Sequence, residues 1–141
     1  MLKKFTLLIA DRNRHVREFL KRELIAEGYR VNIAKNGQEV LKWAYHQGPL
    51  DLLILDVDLS DAGEIPVLEI LADRIPVLPV IIHSFSSDYR NNLSYPGISA
   101  FVEKSGNSVE QLKKVVFNVL SNTDPETTQI PKDKGEIRKE I

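Results

Sequence analysis

The 141-residue sequence predicts a doubly wound α/β domain, a parallel sheet with helices on both faces. Two observations predict it. Four short, nearly continuous apolar runs and one alternating run read as strands, and continuous apolarity in so few residues marks strands covered on both faces. Between them, apolar residues return at helical spacing, and regular alternation of strand and helix implies right-handed crossovers between parallel strands. A hydrophobic content of 43% is enough for one core in a chain of this length.

The elements follow in order. Phe5 to Ala10 is the first strand. Val16, Phe19, Leu20 and Leu24 form one stripe and Gly28 supplies a stop, so the first helix should span Asn13 to Glu27. Val31 and Ile33 alternate with polar neighbours in the second strand. Val40, Leu41 and Ala44 make a helix after the turn at Asn36-Gly37. Leu52 to Leu55 is the third strand, and Val67, Ile70 and Leu71 a helix after Gly63. Val80 to Ile82 and Ala100 to Val102 are the last strands. Between them, "SSDYRNNLS" is expected to form a short helix, although it offers little to bury. Val109, Leu112, Val116 and Leu120 line the final helix. From there the composition shifts to "SNTDPETTQIPKDKGEIRKEI", with mixed charges and two prolines. Such a segment cannot bury enough to offset its ordering, so residues 1–121 are expected to be the domain and 122–141 a flexible charged tail.

Several function classes are disfavoured. A net charge of −1 lacks the basic excess of a nucleic-acid or acidic-membrane binder. There are no cysteines, hence no disulfides and no thiolate metal sites. No apolar run approaches the roughly 20 residues of a membrane span. The opening "MLKKFTLLIADRNR" resembles a leader only until Asp11 interrupts it, so a cytoplasmic location is expected. His15, His46 and His83 fall on different elements and make no ligand set. P-loop, dinucleotide and zinc-finger spacings are all missing.

One stretch stands out. "DLLILDVDLSD" runs a buried strand into Asp56, Asp58 and Asp61. In doubly wound sheets, sites form beyond the carboxyl ends of the strands. Asp11, Asp56, Ser84 and Lys104 stand at the ends of four strands and should gather on one edge. Singly each has an ordinary reading, as a helix cap, a turn residue or a solvated charge. Together they suit phosphoryl transfer to a carboxylate, with a second acid for a divalent cation and a hydroxyl and an ammonium for the phosphoryl oxygens.

These motifs resemble the response-regulator receiver domain of two-component signalling. "LLIAD" with "RHVREFLKRELIAEGYRV" is similar to its first strand, helix and second strand. "AKNGQEVL" matches the turn and helix that follow. "DLLILDVDL" is similar to the phospho-acceptor segment, "LPVIIHS" to the strand ending in Ser or Thr, and "GISAFVEKS" to the strand with an aromatic switch and a lysine. The resemblance implies a flavodoxin-like sheet of five strands in the order 2-1-3-4-5, and phosphorylation of Asp56 by a sensor histidine kinase or a phosphotransfer protein. It also implies magnesium bound nearby, with Asp11 and Asp56 as ligands and catalytic support from Lys104 and Ser84; Asp58 adds a carboxylate where the family binds magnesium through a backbone carbonyl, and is read either as a further metal ligand or as a solvated loop acid. Ser84 and Phe101 would move together as a switch.

The departures carry information too. The family places two acids after the first strand, whereas this chain has Asp11-Arg12. Turned inward, Arg12 would oppose a metal ion by roughly 3 kcal/mol per unit charge product at 5 Å and an effective dielectric of 20. Turned to solvent, it would matter little. Ser60 and Ser105 stand where the family has prolines. A cis bond before Ser105 would cost about 2.5 to 4 kcal/mol, so a trans bond is expected there.

Three readings of function compete. The first is a phospho-accepting receiver, a signalling domain rather than an enzyme. With no effector domain in the sequence, its output is expected to be contact with a separate, unidentified protein. The second is a phosphorylation-independent receiver serving as a binding or homodimerisation module. The third, a flavin carrier of the same topology, would need a phosphate-binding loop that "DRNRH" does not supply.

Overall fold

A computed structural model describes residues 4–85 and 95–123. The expected helix between Ser86 and Ser94, and the expected tail from residue 124 onward, lie outside those residues. Among the described residues the elements are, in order, β1 (Thr6–Ala10), α1 (Arg14–Ala26), β2 (Arg30–Ala34), α2 (Gly37–His46), β3 (Leu52–Leu55), α3 (Val67–Leu71), β4 (Val80–Ser84), β5 (Ile98–Glu103) and α4 (Ser108–Thr123). The strands form one parallel sheet in the order β2-β1-β3-β4-β5.

The alternating direction of strand side chains divides the core in two. Leu8, Ala10, Leu53, Leu55, Val80 and Ile82 face Val40, Ala44, Val67 and Leu71 of α2 and α3. Leu7, Ile9, Leu52, Ile54 and Ile81 face Leu20 and Leu24 of α1 and Leu112, Val116 and Leu120 of α4. Covering both faces is what allows β3 to be four consecutive buried apolar residues. Two members of the expected stripes are more open: Phe19 is 41% exposed and Ile70 37%. Both sit at the outer edge of stripes whose centres, Leu20 and Leu71, are buried.

Helix ends follow local chemistry. Asn13 caps α1, its side chain accepting from the backbone N–H groups of His15 and Val16. Gly28 ends the turn after that helix at φ 103°, in the left-handed region glycine favours. The Asn36-Gly37 pair is a helix start rather than a free turn: Asn36 caps α2 by accepting from Glu39 N–H at 2.9 Å. Helix α4 continues to Thr123, two residues past the expected domain end.

Candidate functional site

The sheet carries its register beyond the strands and so fixes the residues that follow them. Asp11 N–H donates to the Ala34 carbonyl at 3.1 Å, Asp56 N–H to Ala10 at 2.9 Å and Lys104 N–H to Ser84 at 2.8 Å. Three side chains then converge. Lys104 Nζ lies 2.7 Å from Asp11 Oδ2 and 2.9 Å from Asp56 Oδ2. Both carboxylates are buried, Asp11 at 1% exposure and Asp56 at 5%. The second oxygens are also used: Asp11 Oδ1 accepts from Asn13 N–H at 2.8 Å and Asp56 Oδ1 from Asp58 N–H at 3.0 Å.

Burial works against the Lys104 charge, but the hydrogen bonds and charges of Asp11 and Asp56 outweigh it and hold the lysine above its ordinary pKa. Ser84, at the end of β4, is buried, and its Oγ has no hydrogen-bond partner among the described residues. Such an orphan is costly, and its place at a site is a reason to expect a ligand oxygen there. Phe101 on β5 is half-buried and packs against the core on the α2–α3 side. Phe85, next after Ser84, sits over the ammonium, with Lys104 Nζ 5.1 Å from its ring centre.

Two carboxylates facing one ammonium leave one unit of negative charge uncompensated. That donor set fits magnesium, which commonly binds through one or two carboxylates and takes its other ligands from water and substrate phosphate. The expected third acid side chain is not gathered with them. Among the described residues no three acidic or histidine side chains form a group able to hold a metal ion, and Asp58 reaches the site through its backbone N–H. Arg12 is exposed and makes no ion pair with Asp11 or Asp56 among the described residues, which leaves the solvent-facing orientation. Among the described residues the cis peptide bond is Ile75–Pro76, so the bond before Ser105 is trans, as expected.

Other contacts carried no sequence signal. Arg17 Nη1 donates to the Asp11 carbonyl at 2.7 Å, pinning the turn after β1 from one helical turn away. Asp61 belongs to a different job from Asp56: its carboxylate accepts from Gly37 N–H at 2.7 Å and Gln38 N–H at 3.1 Å, capping α2 from the loop after β3. His83 is buried on β4, and its Nε2 lies 3.1 Å from Ser108 Oγ. Burial, then the nearby Lys104 charge, lowers its pKa to about 4 against the opposing pull of Asp56.

Comparison with known proteins gives this geometry a family. Residues 7–117 match the model of the response regulator receiver domain. The DNA-binding transcriptional regulator NtrC of Bradyrhizobium sp. (strain RP501 Parasponia) is 28% identical over 134 residues, covering 94% of this chain and 27% of that protein. The crystal structure of the response regulator TrrA of Thermotoga maritima with magnesium and beryllofluoride is 33% identical, with a TM-score of 0.68, over 79% of this chain and 96% of that one. A structure of TrrA in complex with the histidine kinase ThkA matches at 34% identity and a TM-score of 0.68, over 83% of this chain and 99% of that one. The chain spans well under two thirds of the curated relatives it matches. Among the described residues, no helix is long and apolar enough to cross a membrane. With a family model spanning most of its length and a five-stranded sheet in the same order, this chain belongs to the response regulator receiver domain family of two-component signalling.

Proposed function

We propose that Asp56 accepts a phosphoryl group from a phosphohistidine on a sensor histidine kinase or a phosphotransfer protein, and that the acyl phosphate alters the surface offered to a downstream protein. The observation that carries this reading is the ammonium of Lys104 shared by the buried carboxylates of Asp56 and Asp11, with the Ser84 hydroxyl, unpartnered among the described residues, at the end of the neighbouring strand. A carboxylate oxygen of Asp56 attacks phosphorus. The new P–O bond forms as the P–N bond breaks, and the imidazole of the donor leaves as the neutral base after taking up a proton. Lys104 and Ser84 supply N–H and O–H donors to the phosphoryl oxygens. Asp11 and Asp56 would hold magnesium, whose chemistry there would be to neutralise negative charge on the phosphoryl oxygens.

The output is a population shift. Ser84 turning toward the phosphoryl oxygens frees space on its side of β4, and Phe101 on the neighbouring strand moves with it. A separate protein, or a second copy of this chain in a homodimer, reads the altered face. Support for the donor class comes from TrrA, which has been captured with a histidine kinase.

The test is incubation of the protein with acetyl phosphate and magnesium, followed by intact-mass measurement. The reading expects one added phosphoryl group, lost in Asp56→Asn. No added mass in the wild-type protein would instead favour a binding module that works without phosphorylation.

A further inference from the structure

The loop from Lys104 to Asn107 places the ammonium of the site, yet its sequence "KSGN" contains a glycine and no proline to restrain it. Its last three residues are exposed. Restraint comes instead from two successive residues of β4. At one end of the loop, Lys104 N–H donates to the Ser84 carbonyl at 2.8 Å. At the other, His83 Nε2 and Ser108 Oγ form a buried hydrogen bond of 3.1 Å at the first residue of α4. Both partners are nearly sealed from water, His83 at 3% exposure and Ser108 at 7%. A side-chain hydrogen bond in so dry a setting holds its geometry firmly, because neither group can exchange its partner for water.

We infer that His83 is a positioning residue for phosphoryl transfer: its bond to Ser108 staples the start of α4 to β4 and so fixes the loop that aims Lys104 at Asp56. The inference rests on the phospho-acceptor reading above. His83 points to the α1–α4 side of the sheet, whereas the following Ser84 points to the other, so His83 touches neither Asp56 nor a phosphoryl group on it. Its action is through Lys104 alone. The neutral imidazole suits the role, since a second cation beside Lys104 would push the ammonium away.

The experiment compares the rate of Asp56 phosphorylation by acetyl phosphate in wild type, His83→Ala, Ser108→Ala, the double variant, Ser108→Thr and a control, Val116→Ala. Val116 is fully buried on the same helix and faces the same core, so its truncation reports the effect of destabilisation without loss of the staple. Each staple variant is expected to slow phosphorylation roughly three- to tenfold, and the double variant no more than either alone, as for two halves of one interaction. Ser108→Thr keeps the hydroxyl and should recover most of the rate, while Val116→Ala should lower the melting temperature and leave the phosphorylation rate unchanged. Additive losses, a loss in Val116→Ala as large as in Ser108→Ala, or no recovery in Ser108→Thr would overturn the inference. Should His83→Ala fail to fold, the serine series decides alone. A wild-type protein that takes up no phosphoryl group removes the reading beneath; a wild type that does, with unaffected variants, removes only the staple.

Discussion

The carboxylate of Asp61 closes over the backbone N–H of Gly37, 2.7 Å away, and ties the loop after the acceptor strand to the start of α2. The approach leaves no room for a side chain. A Cβ on Gly37 would lie 2.7 Å from Val67 Cγ2 and 3.1 Å from Asp61 Oδ1. A negative group at a helix N-terminus satisfies donors that have no partner within the helix and opposes the positive end of its dipole. Asp61→Ala should therefore cost about 1 to 2 kcal/mol in urea unfolding. Gly37→Ala should cost at least as much through the clash. Phosphorylation of Asp56 should persist in Asp61→Ala, since Asp61 is bonded to α2 rather than to the acceptor.

This pair also marks the limit of what the sequence alone reveals. Four strands are legible as short apolar runs and β2 as an alternating one, and the helices because their stripes repeat at the right period. Asp11, Asp56, Ser84 and Lys104 were legible because each directly ends or follows a strand, so topology alone brings them to one edge. Asp61 was not separable from its neighbours, because the helix it caps is more than twenty residues earlier in the chain. Arg17 was equally hidden, one cation among several on α1. The orientation of Arg12 is not in the sequence, since neither period nor composition says which way a turn residue faces.

Exposure of Arg12 leads to a definite expectation. A solvated guanidinium is screened, so Arg12→Ala should change magnesium affinity by no more than about threefold, measured by titration calorimetry. Tightening of tenfold or more would mean that the side chain spends its time at the site.

The charge balance of the site predicts a linkage to magnesium. If Asp11 and Asp56 bind the ion only in the folded chain, adding it at about 100 times its dissociation constant should stabilise the protein by about 2.7 kcal/mol. Asp11→Asn should abolish most of that gain in thermal unfolding. Lys104→Met should lower stability in the absence of magnesium by about 3 to 5 kcal/mol, because it leaves two buried carboxylates without their cation.

His83 adds an acid limb to the stability curve. Its pKa is depressed to about 4 in the folded chain, so between the ordinary histidine value and about 4 the unfolded chain binds the extra proton and the folded chain does not. Stability from this group is complete above the ordinary histidine range and is lost as pH falls toward about 4. The loss should reach about 3 kcal/mol, and the difference in unfolding free energy between wild type and His83→Gln should shrink over the same interval.

Reduction with borohydride locates an acyl phosphate directly, because it converts the phosphorylated aspartyl side chain to an alcohol that peptide mass mapping can place. After treatment with acetyl phosphate and magnesium, the reduced residue is expected at position 56 and nowhere else. Reduction at Asp11, Asp58 or another acid, or none at all, would contradict it.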